Sequence, residues 1–404
     1  MRHQQRFDQA IELSGRFPFE ISATSSLGTL RVLVWLSLGL ALVNHLLPPT
    51  PYAATQLLLN YDFGFVRRGL AGELLGYIWP DRVRIPHIYL TTFAVTLSGA
   101  LAFCFGLYTR MQGGLTPSLL MLIGINSFAF GTFVGATGYL DAVLMVLVVA
   151  ALASPPTAAW GLGVRLGALI LGALLHEVMV PYFMMLIAFD IWLAEAGRRR
   201  WRALLPVGVG CTMVVLLFTI GEVRPEDGAA IMEGMRSRTG FVPHDVVMNT
   251  VTYTLADHSA YTEEYRSRDA YGAMLVCDGL PLGALVFWIW WLGARLLGER
   301  RTLSHFVFLL VLLAPLSLNV IAIDVARFFA ISALAGFLAL GLILVHVPGA
   351  RQRLSESLSL GHALAVLVLS SNIFTYGFNA SMAFTAQAPW VWLEHEAWFS
   401  FGAV

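Results

Sequence analysis

The sequence predicts an all-α polytopic membrane protein that crosses the bilayer about eleven times. Of its 404 residues, 57% are hydrophobic and 12% are charged, which is about half the charged fraction of a soluble domain. The mean hydropathy is +0.72. About eleven apolar stretches are each close to the ~20 residues that a helix needs to cross the hydrocarbon core.

The composition excludes several classes of protein. Basic and acidic residues balance at 25 each, so no nucleic-acid partner is expected. All of the basic residues are arginine, which we attribute to codon bias in a GC-rich bacterial genome. The three cysteines, Cys104, Cys211 and Cys277, are far apart and suggest neither a metal site nor a disulfide framework. The polar N-terminus is too long and irregular for a cleaved signal peptide.

The whole chain, 1–404, is interpreted as one integral membrane domain with its N-terminus in the cytoplasm and its C-terminus outside. Arginines concentrate in the short connections on the same side of the membrane as the N-terminus, and the positive-inside rule assigns that side to the cytoplasm. The predicted spans are 29–48, 87–109, 115–136, 139–153, 160–177, 179–195, 203–221, 272–293, 303–322, 325–346 and 359–378. A bacterial inner membrane is the expected location.

This topology leaves two long outer loops. The first, about 49–86, contains a segment from Phe65 to Trp79 that alternates like an interfacial helix, with Trp79 at headgroup depth. The second, about 222–271, is polar and predicts a small helical cap. The tail 379–404 is rich in tryptophan and is also predicted to be interfacial.

Ionisable residues gather on one predicted side of the apolar segments. The first group lies in the first outer loop, where Asp62 is followed by the paired Arg67 and Arg68. Arginine pairs suit phosphate because the planar guanidinium donates parallel hydrogen bonds, and an ionised Asp can act as a general base. The alternative is a helix cap whose arginines bind lipid phosphate.

The second group is His176-Glu177, which interrupts an apolar run. Two ionisable residues there are costly and therefore suggest function. Pro181 follows where a zinc helix would need a second histidine, so the metalloprotease pattern fails. A polar pair that joins two helices remains the alternative.

Two further acids lie near the same predicted surface. Asp324 and Arg327 are three residues apart and share a helix face, although a structural salt bridge at a helix end by itself explains them better. Asp141 is a lone acid that a helix cap would also explain. Four separate segments would thus bring acids or bases to one surface, which is how a membrane-embedded site is assembled.

This one-sided arrangement favours an enzyme over a transporter or channel. An ion-coupled transporter needs ionisable groups or broken helices near the midplane, and a channel needs a polar stripe along its pore. Neither pattern is evident. A lipid-linked oligosaccharide flippase or permease, or a non-catalytic subunit of an envelope-assembly complex, remains the alternative.

The acid in the first outer loop, the interfacial helix after it and the many-span body resemble the GT-C superfamily of polyprenyl-phosphate-dependent glycosyltransferases. The chain also looks like bacterial polysaccharide polymerases and O-antigen ligases. The GT-C resemblance implies that Asp62 is the base, and the paired acids that some members have at this loop are absent here.

The expected reaction moves a sugar or glycan from a polyprenyl-(pyro)phosphate donor to a glycan or lipid acceptor on the outer face of the membrane. Asp62 would accept the proton, Arg67, Arg68 and Arg327 would bind phosphate, and His176 with Glu177 would orient sugar hydroxyls or share acid–base work. Asp141 and Asp324 would support these groups. No cofactor is required by this scheme, although the two acids leave a divalent cation possible.

Overall fold

The computed structural model describes residues 23–112, 114–221, 223–299, 302–322 and 324–371. Every regular secondary-structure element within these residues is a helix, and β-type pairing is limited to two isolated bridge pairs. The predicted all-α fold is confirmed. The predicted interfacial tail 379–404 and the end of the span 359–378 lie outside the described residues.

The helices follow the predicted apolar segments and outer loops. Up to residue 153 they are α1 Ala23–His45, α2 Pro51–Gln56, α3 Gly69–Ile78, α4 Ile85–Met111, α5 Leu115–Asn126, α6 Phe128–Gly135 and α7 Asp141–Ala153. The next are α8 Ala159–Leu175, α9 Met179–Ala194, α10 Leu204–Ile220, α11 Pro225–Arg238, α12 Asn249–Thr252, α13 Leu255–Arg266 and α14 Asp269–Met274. The last are α15 Leu280–Leu297, α16 Thr302–Leu316, α17 Val325–His346, α18 Ala350–Ser357 and α19 Leu360–Leu369.

Five helices among the described residues are long and apolar enough to cross a membrane: Ile85–Met111, Gly197–Ile220, Leu275–Leu297, Thr302–Val320 and Val325–His346. Three of them combine an α-helix with an adjoining turn of another helix type. Gly197–Ala203 is a 3₁₀ turn before α10, Leu275–Gly279 is a π-helical turn before α15, and Ser317–Val320 is a 3₁₀ turn after α16. Shorter apolar helices of 10–17 residues lie in the other predicted spans. The chain therefore has helices suited to crossing a membrane. The number of membrane crossings, eleven, remains a prediction.

The predicted span 115–136 is not one continuous helix. Ser127 has an extended backbone, with φ −70° and ψ 149°, which separates α5 from α6. Its hydroxyl accepts a hydrogen bond from the Phe130 amide at 3.3 Å and so caps α6. Hydropathy does not distinguish this break, because both halves are equally apolar.

Helix α17 forms the centre of the body. Of its most apolar stretch, 89% is buried inside the protein, and it packs against α4, α6, α9, α15 and α16. Gly336 allows close approach, because a Cβ there would lie 2.7 Å from side-chain atoms of both Ile289 and Leu312. A central helix buried on all sides reads as uniformly apolar, as observed.

Four helices of the body run in the same direction: α4, α7, α9 and α17. In each pair, residues further along one helix contact residues further along the other. Along α4 and α7, Gly99 lies beside Ala142 and Gly106 beside Val149. The same order holds for α4 and α17, with Gly106 beside Leu338 and Arg110 beside Gly341, and for α9 and α17, with Tyr182 beside Phe328 and Asp190 beside His346. Their N-termini therefore lie at one end of the body.

The two predicted outer loops meet at this same end and together form what we call the cap, residues 46–84 and 223–274. Arg238 donates to the Leu58 carbonyl at 2.7 Å, and the His244 amide donates to Thr55 Oγ1 at 2.8 Å. Val83 forms a bridge pair with Thr239. The predicted cap is helical, and the predicted interfacial helix is α3, which starts at Gly69 and not at Phe65.

We expect the cap and the turn Gly197–Ala203 to face opposite sides of the membrane, because α10 separates them by about 25 Å at 1.5 Å per residue. Asp245 and Arg199 are both exposed. After serine replaces the three native cysteines, Asp245→Cys and Arg199→Cys should react with a membrane-impermeant maleimide from opposite sides of sealed vesicles. Labelling of both from one side would contradict this topology.

Candidate functional site

Six of the eight predicted site residues come together at the cap end of the body. They are Arg68, Asp141, His176, Glu177, Asp324 and Arg327, which we call the ionic cluster. The guanidinium groups of Arg68 and Arg327 are close enough to repel each other. The first loop and three separated parts of the body thus contribute side chains to one cluster.

Arg68 and Glu177 form the ion pair that joins the cap to the body. Arg68 Nε lies 3.1 and 3.0 Å from the two carboxylate oxygens, and Nη2 also donates to Oε1. Burial lowers the pKa of Arg68 but the Glu177 carboxylate raises it, and the net shift is upward. The pair therefore stays ionised, as expected for a charge-assisted contact with little water.

The backbone of Arg68 is strained. Its φ of 65° makes it the one described non-glycine residue in the left-handed region, a conformation that costs about 1–2 kcal/mol for a residue with a Cβ. Arg68 directly precedes α3 and acts as its N-cap without a side-chain bond to the helix. This turn directs Arg68 toward Glu177, while the adjacent Arg67 points elsewhere.

His176 lies beside this pair in the turn between α8 and α9, with 2% of its surface exposed. Its Nδ1 is 3.4 Å from a Glu177 oxygen and 3.4 Å from the Val178 amide nitrogen. A neutral ring with its proton on Nε2 accepts the Val178 N–H at this atom, whereas a ring with a proton on Nδ1 donates to Glu177. One nitrogen cannot do both, so the contact that forms depends on whether Nδ1 carries a proton.

Arg327 joins the other two acids of the cluster. Its Nε and Nη2 contact Asp141 at 2.6 and 3.2 Å, and its Nη1 contacts Asp324 at 3.0 Å. The guanidinium also lies 4.5 Å from the ring centre of Tyr139. The Asp141 side chain is 2% exposed and that of Asp324 is 46% exposed. Asp141 is therefore the buried anchor, and Asp324 is the partner that water reaches.

Four helix N-termini meet at the ionic cluster. Arg68 caps α3, Asp141 is the first residue of α7, Glu177 precedes α9 by two residues, and Asp324 caps α17. Each terminus carries about half a positive charge, and such termini bind carboxylates and phosphates. This dipole field offsets the net negative charge of three carboxylates and two guanidinium groups in a mostly buried site.

Arg67 lies outside the cluster. It is 1% exposed, its Nη2 donates to the carbonyls of Val251 and Tyr253 at 3.0 and 2.9 Å, and it covers the Phe218 ring at 4.6 Å. These contacts fasten the first loop to the second. The predicted phosphate contact of Arg67 therefore has no counterpart in this geometry.

Asp62 also lies outside the cluster, in an open cleft that we call the loop cleft. Its side chain is 58% exposed and is 3.8 Å from Arg238. The cleft has a volume of 380 Å³, within the range of small-molecule sites. It is lined by Leu58, Asn60, Asp62, Gly72, Glu73, Leu75, Gly76, Tyr77, Trp79, Pro80, Asp81, Val83 and Arg238.

Helix α3 connects the two sites. Arg68 at its N-terminus belongs to the ionic cluster, whereas its residues from Gly72 onward line the loop cleft. Four residues of helix correspond to about 6 Å along the axis. The acid and the cations that the sequence predicted as one site therefore occupy two neighbouring sites.

Three further residues were not predicted, and two of them, His258 and Tyr182, interact with the cluster. His258 of α13 interacts electrostatically with Arg67, Arg68 and Glu177, and burial followed by the two arginines lowers its pKa, so it is neutral at pH 7. Tyr182 of α9 is 1% exposed and interacts with Arg327. Asp278 is 7% exposed on the π-helical turn, a geometry frequent at functional sites. Sequence spacing gives no signal for any of these long-range contacts.

A second buried ionic group lies at the opposite end of the body, so the charges are not confined to one side as predicted. Asp190 contacts both Arg165 and, at 3.1 Å, His346 Nε2. Arg165 is fully buried and also donates to the Ser154 carbonyl at 2.8 Å. These contacts join the ends of α7, α9 and α17, and we call them the far-end network.

No group of three or more His, Cys, Asp or Glu side chains suited to a metal ion occurs among residues 23–371 that the structure describes. Asp141 and Asp324 both contact the guanidinium of Arg327. The guanidinium thus occupies the position between the acids where the sequence left a divalent cation possible.

Replacing Asp141 should destabilise the protein far more than replacing Asp324. Asp141→Asn leaves Arg327 buried with a weakened partner, and breaking such pairs typically costs about 3–5 kcal/mol. Asp324→Asn removes a partly exposed contact that is typically worth less than about 1 kcal/mol. Thermal unfolding of both purified variants in one detergent tests this order. Equal unfolding midpoints would contradict the role of Asp141 as the anchor.

Substitutions at Arg68 should separate the strain from the ion pair. Arg68→Gly and Arg68→Ala both remove the contact with Glu177, but only glycine adopts the left-handed conformation without strain. The glycine variant should therefore be more stable than the alanine variant by about 1 kcal/mol. Unfolding of the two variants in the same detergent measures the difference, and a more stable alanine variant would show that this backbone is not strained.

Comparison of the chain with protein-family models, curated proteins and solved structures gives no match. The function is therefore inferred from the geometry of the ionic cluster and the loop cleft.

Proposed function

We propose that this chain is a membrane glycosyltransferase that moves a sugar or glycan from a polyprenyl-(pyro)phosphate donor to an acceptor at the outer membrane face, during assembly of cell-surface polysaccharide. The observation that carries the proposal is the placement of two unlike sites along α3. Its N-terminus lies in a site rich in arginines and helix N-termini, and its body lines an open acidic cleft.

The ionic cluster is suited to the donor phosphate. Arg68 contacts Glu177 through Nε and Nη2, which leaves the two N–H groups of Nη1 for a phosphate oxygen. Arg327 would contribute by exchanging Asp324 for phosphate, since that carboxylate is 46% exposed and can return to water. The four helix N-termini stabilise the added negative charge.

Asp62 is the group best placed to accept the proton of the acceptor hydroxyl. Its carboxylate is 58% exposed and forms an ion pair with Arg238, whose Nη1 lies 3.8 Å from Oδ2. The acceptor oxygen forms a bond to the anomeric carbon as its proton passes to Asp62. The bond from that carbon to the phosphate oxygen breaks, and the leaving phosphate keeps the electron pair, stabilised by Arg68 and Arg327.

Glu177 and His176 would position Arg68. Glu177 is held by Arg68 through two oxygens and is thereby a weak base. Its role is to fix the guanidinium, and His176 supports it from the buried side. Asp141 holds Arg327 in the same way. The arginines are thus oriented before substrate arrives, as electrostatic catalysis requires.

The second candidate is a non-catalytic subunit of an envelope-assembly complex. It is favoured by one observation, namely that each carboxylate of the ionic cluster already contacts an arginine of this chain. A cluster that only stabilises the fold would look the same. A flippase or permease for lipid-linked oligosaccharide is distinguished by transport without covalent change.

Asp62→Asn should abolish sugar transfer while the protein remains folded in the membrane. Loss of a general base typically lowers the rate by about 10²–10⁴-fold, and an exposed side chain contributes little to stability. The assay follows radiolabelled sugar from polyprenyl-linked donor in proteoliposomes. Asp245→Asn, on an exposed cap residue outside both sites, is the matched control.

Three outcomes separate the candidates. Full transfer by Asp62→Asn would remove the base assignment. Donor lipid that crosses the bilayer unchanged would favour a permease. Wild-type protein that neither transfers nor transports, yet is required for assembly of a larger complex, would favour the scaffold.

A further inference from the structure

The loop cleft has a charge and a surface chemistry that differ from those of the ionic cluster. Three carboxylates line it, from Asp62, Glu73 and Asp81, against the single guanidinium of Arg238. The neighbouring Arg82 and Arg84 are not among its lining residues; Arg82 donates to the Thr239 carbonyl instead. With these side chains ionised, the cleft carries a net negative charge.

Arg238 can offset the charge of only one of the three carboxylates. Its Nη2 donates to the Leu58 carbonyl at 2.7 Å and its Nε lies 3.4 Å from the Gly234 carbonyl, while Asp62 is 3.8 Å away. Glu73 accepts a long contact of 3.4 Å from the Tyr61 amide. The carboxylate oxygens thus keep accepting capacity for a ligand in the cleft.

Aromatic side chains form another wall of the cleft. Trp79 is held by stacking on His87, with ring centres 4.1 Å apart, and by a 3.3 Å contact from its Nε1 to Thr91. Tyr77 is 77% exposed. A fixed aromatic face next to carboxylate acceptors suits a sugar, because the ring covers apolar C–H groups while the oxygens accept hydrogen bonds from hydroxyl groups.

We propose that the loop cleft binds the acceptor and that its negative charge selects a neutral or amine-bearing glycan over an anionic one. This inference rests on the proposed function and names the acceptor class. A uronate or phosphate group in the cleft would face three carboxylates and one engaged arginine, which is unfavourable. An ammonium group would be attracted by the same charges. Donor phosphate is excluded from the cleft for the same reason and belongs at the ionic cluster.

Binding of three disaccharides to the purified full-length protein in nanodiscs tests the proposal without turnover. The probes are built from glucose, glucosamine and glucuronic acid, and binding is followed by ligand-observed NMR and by tryptophan fluorescence titration. The glucosamine and glucose probes should bind at least about tenfold more tightly than the glucuronic acid probe. Raising NaCl from about 50 to about 500 mM should reduce that ratio, because salt screens exposed charges.

The double variant Glu73→Gln with Asp81→Asn removes two of the carboxylates and leaves Asp62. It should bind the glucuronic acid probe more tightly and reduce the ratio to about threefold or less. Asp81→Asn alone provides a milder variant, since Asp81 is exposed. Glu226→Gln with Asp227→Asn, on exposed α11 outside the cleft, is the charge-matched control and should change nothing.

Two outcomes would overturn the inference: equal binding of all three probes by the wild-type protein, or no binding of any probe. Selective binding by a protein that transfers no sugar would instead contradict the proposed enzyme, because the binding assay needs no donor. Failure of the acceptor assignment and failure of the proposed function are thus distinguishable.

Discussion

The contact between Arg327 and Asp141 is the constraint on which the rest of the structure depends. Arg327 lies at the start of α17, the central helix, and Asp141 begins α7. Both charges are largely buried, so each needs the other, and leaving one unpaired costs several kcal/mol. The pair therefore fixes the depth of α17 relative to α7, and α4, α9, α15 and α16 pack around that position.

The parallel direction of α4, α7, α9 and α17 gives the body an electrostatic polarity. The ionic cluster at the N-terminal ends holds three acids and two arginines, whereas Arg110, Arg165 and His346 lie at the opposite end beside Asp190. Arg110 and Arg165 donate to the carbonyls of Leu152 and Ser154, which end α7. Cations satisfy helix C-termini and anions satisfy N-termini. The far-end network is thus the counterpart of the ionic cluster, and it accounts for buried charge without invoking a second reaction.

Hydropathy depends on local composition, so the sequence was enough to predict the apolar helices. It was not enough to predict side-chain contacts whose direction is set by the backbone conformation of a turn. Arg67 and Arg68 are adjacent and looked like one phosphate-binding pair. The left-handed φ of Arg68 directs the two side chains to different partners, Glu177 and the Val251 carbonyl. Asp190 was overlooked because a single acid in an apolar span gives no indication of its partner. The break at Ser127 likewise depends on one serine in an apolar run.

The separation of the two sites along α3 has a chemical consequence. If Asp62 lay within the ionic cluster, an arginine would bind it as Arg68 binds Glu177, and the stabilised carboxylate would be a poor proton acceptor. In the loop cleft it lies beside the carboxylates of Glu73 and Asp81 and contacts the guanidinium of Arg238 at 3.8 Å. Conversely, arginines placed in the acidic cleft would lose their capacity for phosphate. Helix α3 has Arg68 at its N-terminus and the acids of the loop cleft along its length. This arrangement lets both kinds of group keep the charge that their proposed roles require.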